Sequence, residues 1–586
     1  MSSDSFKATE RVASLFLGVW LWFCLIIATS RLVASFPFGL EGSDEGSYLL
    51  FITNPWGSPG LGLFYGFLLH PLWDISGGCV ANFRQAGTLV LGLMVLGLAF
   101  SLWGFLRGHH NRGWLWAIIP SLLLAGFTHY TRGIRTPGYD WTTLVGALIF
   151  ASGWICLETE RGRWRNLGEL MVAGGLLVLA AGKWLVLPGY AVLTGIILTR
   201  KFPPVERWWF ILRVSSWLAF FFLIFLCYAG IDGICSTWKA GMVYSQSGDR
   251  VELVGMYVGW LLGYAWVIVR ALLWVVGLYG MVWAAVKFIL QKKPRGDLVA
   301  ATVFILGLGL ALVRGHFQGG INSWGKGSML VGTWVTGVLM TTIPYAGFRQ
   351  NISEALRSPA IRIVLLLVSI PILNAAGTIT GLTNYISHGS VFLVAAGWVV
   401  LVRSLARGIS PICLAAAFVC IGTLQATRIY TTPEDIMRVG KAWDANSLVR
   451  SGPEAGKLFL HESSVHSLMQ IDKTLKQHGF SQGDPVVGWV DLCGLVYLLG
   501  GTSPGSSWYL GGIQGHLKNT GASLLERTWV LLREGMPEPS NFWPKSVGVA
   551  LPIGVAEHLY WPEGDAEGVL RSVYLYRPVQ CPNQKD

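Results

Sequence analysis

The chain has 586 residues, of which 53% are hydrophobic and only 13% charged, with 28 tryptophans and a formal net charge of +12. A soluble domain carries about 25% charged residues, so water cannot solvate most of this chain, and a soluble enzyme or binding module is excluded. The positive balance suits a membrane protein whose Lys and Arg gather in cytoplasmic loops; with no basic run or aromatic RNA-binding motif, it does not point to nucleic acid.

A helix needs about 20 apolar residues to cross the hydrocarbon core. The first apolar segment, 12–35, is too long for a signal-peptide core and no small-residue cleavage site follows it, so it reads as a retained span. Further spans are expected near 86–106, 114–130, 141–157, 167–182, 186–199, 208–229, 265–290, 298–314, 329–347, 362–376, 389–402 and 411–427, about 13 in all, of which 186–199 and 389–402 are short. With the N-terminus in the cytoplasm, the inner loops carry eighteen Lys and Arg, among them Arg161, Arg163, Arg165, Arg200, Lys201 and Arg362. The longer outer loops before residue 428 carry eight. That asymmetry satisfies the positive-inside rule, and an odd number of spans puts the C-terminus outside. The expected location is a prokaryotic inner membrane.

Two regions are not membrane. The outer loop 36–85 holds the acidic pair Asp44-Glu45 and a semi-apolar stretch, 61–73, with the look of a helix lying at the interface. The tail alternates helix-like 433–450, strand-like 456–460, helix-like 463–478, strand-like 486–490, helix-like 492–499 and 522–533, then strand-like 547–553 and 572–578, the pattern of a small α/β domain. The expected architecture is therefore a mainly α-helical polytopic membrane unit over 1–427, followed by an extracytoplasmic α/β domain over 428–586. The nine cysteines form no CxxC pair, which argues against a zinc knuckle or thioredoxin-like site. Cys493 and Cys581 both fall outside the membrane, and whether they pair is open.

The chemistry centres on Gly42-Ser43-Asp44-Glu45-Gly46-Ser47-Tyr48. A lone loop acid is ordinarily only solvated. Two adjacent carboxylates beside a bilayer repel, so one holds a proton or both meet a cation, and either state suits a general base or a metal ligand. Asp140, in Gly138-Tyr139-Asp140-Trp141, is a second outer acid at a span entrance, where a helix N-cap is the plainer role. Outer-face cations go against the positive-inside tendency: Arg132 and Arg135, Lys183 among apolar residues, and Arg314 with His316. Guanidinium forks suit phosphate oxygens; the alternative is snorkelling to headgroups. His109-His110 falls in an inner loop and reads as solvated, and 500–505 lacks the Gly-Lys-Ser/Thr ending of a P-loop and reads as a turn. Arg213 and Arg270 fall within or near spans and line a cavity or pair internally.

A long first outer loop carrying Asp44-Glu45-Gly46 and Tyr48 after a single N-terminal span resembles the GT-C glycosyltransferases, in the branch with protein mannosyltransferases and the aminoarabinose transferase of lipid A. Arg84, in Phe83-Arg84-Gln85, is similar to the basic residue found at the start of the second span in that group. Lys183, in Gly182-Lys183-Trp184, is similar to its lysine at the outer membrane surface. The resemblance implies a polyprenyl-phosphate or polyprenyl-pyrophosphate sugar as donor and a lipid, glycan or protein hydroxyl as acceptor. It implies inversion in one displacement, with Asp44 as general base and Glu45 orienting the acceptor. It also implies a divalent cation (Mg, Mn or Ca) on Asp44, Glu45 and Asp140, and substrate contacts from Tyr48, Arg84, Arg132, Arg135, Asp140, Lys183, Arg314 and His316. A transporter or flippase of lipid-linked saccharides is the rival reading. It does not call for a paired acid in a long first loop, and no repeated pair of broken spans is present.

Overall fold

The computed structural model describes residues 3–107, 112–132, 134–159, 162–245, 259, 262, 358–376, 385, 388–405, 411–431, 445–489, 492–509, 513–518, 520–543, 553–562 and 570–578. The expected spans 265–290, 298–314 and 329–347 lie outside these residues, as do His109-His110, Arg270, Arg314, His316, Cys581 and most of the expected helix 433–450.

The membrane unit is built from α1 (Ser3–Ala34), α4 (Val80–Leu106), α5 (Leu115–Phe127), α6 (Tyr139–Glu158), α7 (Gly162–Lys183), α8 (Leu187–Lys201), α9 (Pro204–Ser245), α10 (Pro359–Asn374), α11 (Ser390–Leu405) and α12 (Pro411–Thr431), with the short α2 (Asp44–Thr53) and α3 (Tyr65–Ile75) in the first loop. Five helical stretches among the described residues are long and apolar enough to cross a membrane, and three shorter apolar helices accompany them. Aliphatic and aromatic side chains form one continuous core between the helices, while Phe16, Phe23, Trp208, Trp209 and Phe222 point outward, as side chains facing lipid do.

Polar pairs mark the two ends of the bundle. At one end Glu158 closes α6 and meets Lys201 of α8 at 3.0 Å and Arg362 of α10 at 2.7 Å. Arg213 of α9 makes a two-pronged bond to Glu169 of α7, 2.8 Å on both arms, which answers the question of its internal pairing. The opposite end holds Asp44, Asp140 and Lys183. Because Lys201 returns to Glu158, the chain reverses at the 3-10 turn Trp184–Val186, and Leu187–Lys201 is a separate helix running back along the bundle. The residues read as cytoplasmic (Arg165, Lys201, Arg362) thus gather at the end away from the acids. α9 breaks at Gly230, whose φ of 72° only glycine takes without strain, so the expected span 208–229 ends where the helix kinks.

The closest helix pair is α6 with α7. Gly146 and Gly153 on α6 face Gly168, Gly175 and Gly182 on α7, a seven-residue spacing on both helices that puts every glycine on one face. A Cβ on Gly153 would lie 2.8 Å from Gly168 O, and one on Gly175 would lie 2.6 Å from Phe150 N. The backbones therefore meet, as small residues allow in a bilayer. Gly175→Val should destabilise the protein by about 1–3 kcal/mol through overpacking. Gly97→Ala, with nothing within 4 Å, should not. Thermal unfolding of the two purified variants checks this, and equal midpoints would contradict the close packing.

After the membrane unit come a two-stranded antiparallel pair, β1 (Ser447–Leu448) and β2 (Phe459–Leu460), then α13 (Glu462–Gln477), β3 (Val486–Gly488), α14 (Cys493–Leu499), α15 (Ile513–Leu517), α16 (Ala522–Leu525), β4 (Trp529–Arg533), α17 (Pro539–Phe542), β5 (Ile553–Pro562) and β6 (Leu570–Arg577). The four-stranded sheet runs β3-β4-β6-β5, with β3 and β4 parallel and the other neighbours antiparallel. The expected helix over 522–533 is corrected: it stops at Leu525, and 529–533 is a strand. Trp529-Val530-Leu531-Leu532 is a short apolar run that fits either period, and it becomes a strand because it is buried between β3 and β6.

Candidate active site

Asp44 is the first residue of α2, so the acidic pair opens a helix inside the loop. The helix start is capped from two directions. Glu41 accepts from the Ser43 N–H at 3.1 Å and the Glu45 N–H at 2.9 Å, and the Glu45 carboxylate accepts from the Glu41 N–H at 2.9 Å. This is the reciprocal logic of a capping box, with both acids near the positive end of the helix dipole. Burial, then the charge of Asp44, pushes the Glu41 carboxyl up to about 7.

Glu45 is fully enclosed. Its Oε1 accepts from Arg84 Nε at 3.2 Å and Nη2 at 2.8 Å, from the Thr136 N–H at 3.0 Å, and from the Thr136 hydroxyl. Arg84 also donates to the carbonyls of Phe36 at 2.6 Å and Gly39 at 2.9 Å. Burial alone would raise the Glu45 carboxyl, but the charge of Arg84 and the Thr136 hydrogen bond outweigh it and hold the group ionised below its ordinary value. Both expected site residues are therefore occupied with each other: Arg84 braces Glu45, and Glu45 braces the loop. Asp44, one residue earlier, is half-buried, with the Ser43 hydroxyl 3.3 Å from its Oδ1.

The expected Lys183 and Asp140 come together because the glycine-packed hairpin sets the end of α7 against the start of α6. The Lys183 ammonium is buried and donates to the Tyr385 hydroxyl at 2.8 Å, to the Asn374 carbonyl at 3.1 Å, and to Asp140 Oδ1 at 3.4 Å. The Tyr385 hydroxyl in turn donates to Asp140 at 2.6 Å. The ammonium lies 4.1 Å from the centre of the Tyr385 ring, within cation–π reach. Tyr48, another expected residue, is buried edge-on against Tyr65 and Tyr139. Burial raises the hydroxyls of Tyr48 and Tyr65 well above the usual range, and both Asp44 and Asp140 add to the rise. The two acids thus act on one aromatic cluster.

Arg135 is buried with Nη1 on the Ser35 carbonyl at 2.7 Å, while its Nε and Nη2 make no hydrogen bond among the described residues. Burial, then the charge of Arg84, lowers it to about 9. The side chain of Arg132 lies outside the described residues. No group of three or more His, Cys, Asp and Glu forms a metal cluster among the described residues.

No protein-family model and no curated protein matches the chain. Among solved structures the likeness is to ArnT. The apo crystal structure of ArnT from Cupriavidus metallidurans is 13% identical with a TM-score of 0.38, covering 95% of this chain and 97% of that one. The same protein bound to undecaprenyl phosphate is 12% identical with a TM-score of 0.36, covering 95% and 98%.

Four residues of the site were not singled out from sequence: Glu41, Thr136, Asn374 and Tyr385. Glu41 carried a signal, an acid four residues before Glu45 at a helix start. The other three bond site residues 52 or more positions away in the chain, and none carries a charge that would mark it.

Proposed function

We propose that the chain is a GT-C glycosyltransferase that moves a sugar from a polyprenyl-phosphate donor to an acceptor hydroxyl on the outer face of the membrane. The observation that carries this reading is the division of labour among the acids. Glu41 and Glu45 cap and brace α2, and Asp44, its first residue, is half-buried at the same end of the bundle as a buried ammonium, Lys183. Asp44 takes the proton of the acceptor hydroxyl as its oxygen attacks the anomeric carbon. The bond from that carbon to the phosphate oxygen breaks, and polyprenyl phosphate leaves with the electron pair. A single displacement inverts the anomeric centre.

Lys183 and Arg135, whose Nε and Nη2 make no hydrogen bond among the described residues, are the cations offered to the donor phosphate. The phosphate would replace the longest Lys183 contact, the 3.4 Å approach to Asp140. Asp44 and Asp140 are the carboxylates that would hold a divalent cation, whose charge would neutralise the leaving phosphate. Outer-face placement is supported by the basic residues gathered at the opposite end of the bundle.

Lys183→Ala removes a charge-assisted phosphate contact worth about 1.5–3 kcal/mol. Binding of synthetic undecaprenyl phosphate to the purified, folded protein should weaken about 10–100-fold. Unchanged binding in both Lys183→Ala and Arg132→Ala/Arg135→Ala would return these residues to headgroup snorkelling.

A further inference from the structure

The C-terminal segment is stitched to the first loop by backbone hydrogen bonds. Gly39 N–H donates to the Phe459 carbonyl at 2.8 Å, and Phe459 N–H donates to Pro37 O at 2.9 Å. Gly494 N–H donates to Gly42 O at 2.6 Å, and Ser507 N–H to Pro59 O at 2.8 Å. Ser503 N–H adds a bond to the Ser58 hydroxyl at 2.8 Å. At Gly46 and Gly494 the two backbones touch: a Cβ on Gly46 would lie 2.2 Å from Gly494 N, and one on Gly494 would lie 2.8 Å from Gly42 Cα. Every residue of α14 is buried.

A second contact reaches the bundle itself. Glu454 is fully buried, and its Oε1 accepts from the Tyr497 hydroxyl at 2.6 Å and from the Val80 N–H at 3.3 Å. Val80 opens α4, so its N–H is one of the donors a helix start leaves without an internal partner. One turn further on, the same helix carries Arg84, which holds Glu45. Trp73, packed edge-on against both Phe83 and Tyr497, closes the gap between the two. Burial raises the Glu454 carboxyl, and Oε2 has no hydrogen bond among the described residues. A neutral acid fits this place, and so does an amide.

Resting on the glycosyltransferase reading, we infer that the C-terminal segment is a positioning device for the catalytic helix: Gly494 fixes the first turn of α2, Glu454 fixes the start of α4, and the site is incomplete without both. These are positioning residues, since neither reaches Asp44. The first turn of α2 has α14 against it and the Arg84–Glu45 clamp beside it. A displacement of either shifts the carboxylate of Asp44 relative to a donor anchored on α7 through Lys183.

The test measures turnover and donor binding separately in full-length protein. Gly494→Ala should lower kcat about 100-fold, the cost of an ångström-scale misplacement, while synthetic undecaprenyl phosphate binds within about twofold of the unaltered protein. Glu454→Ala should lower kcat about 10-fold on the same reasoning, and Glu454→Gln, which keeps the Oε1 acceptor, should restore it. A folded Gly494→Ala protein with unchanged kcat, or one that loses kcat and phosphate binding in equal measure, would overturn the inference. Asp44→Asn in the same assay separates the two claims: if it is inactive while Gly494→Ala is normal, the positioning role fails and the chemistry stands, whereas an active Asp44→Asn rejects the chemistry. Should the Gly494 variant not fold, hydrogen exchange on the unaltered protein decides. The amides of Gly39, Phe459 and Gly494 should open together with those of α2, and independent, faster exchange at Phe459 and Gly494 would overturn the coupling.

Discussion

Asp44→Asn should insert, fold and bind donor as the unaltered protein does, and should transfer sugar about 10²–10⁴-fold more slowly, the usual cost of losing a general base. The amide keeps the shape of the carboxylate but cannot accept the acceptor's proton. The structure gives a reason to expect a selective loss. Asp44 is half-buried, while Glu41, Glu45, Arg84 and Thr136 bond to one another and to the loop backbone. The check is transfer of labelled sugar by the purified variant, with lipid-linked donor from labelled cells and binding followed in parallel. Near-normal turnover would reject the assignment and bring the transport reading forward.

Arg84→Ala should be the most destabilising single change in the site, by about 3–5 kcal/mol, because it leaves an ionised Glu45 buried without its partner. It also strands the carbonyls of Phe36 and Gly39, which Arg84 now satisfies at 2.6 and 2.9 Å. Glu45→Gln should cost less, since the amide oxygen still accepts from Thr136, yet turnover should fall as α2 loosens. A double replacement, Arg84→Met with Glu45→Gln, should recover much of the lost stability, because the cost lies in the unpaired charge rather than in any surplus worth of the pair. Thermal unfolding of the three variants in one detergent decides it. If the double variant unfolds as early as Arg84→Ala, the ion pair is not the cause.

The membrane helices were readable because a bilayer leaves few ways to hide a backbone, and apolar length alone marks them. The reversal at 184–186 and the stop at Gly230 followed from the same lengths. Lys183 and Asp140 were each visible as a polar residue at an apolar boundary, but the contact between them was not. It depends on the glycine face of α6 and α7, whose seven-residue spacing was in the sequence without being read as a packing signal. The role of Glu45 was also hidden. Side by side in sequence, Asp44 and Glu45 look like one acidic pair, whereas Glu45 is enclosed by Arg84 and Thr136 and Asp44 is half-buried at the start of the helix. Residues 529–533 were misread for the opposite reason: a short apolar run carries no period of its own, and the neighbouring strands decide its form.

The central claim is that a lipid-linked sugar occupies the end of the bundle where Asp44 and Lys183 lie. Native mass spectrometry of the protein purified with its own membrane lipids tests this most directly. The account predicts a co-purifying polyprenyl phosphate carrying a sugar, present in equal amount on Asp44→Asn and depleted on Lys183→Ala. Bulk phospholipid alone on all three proteins would contradict it.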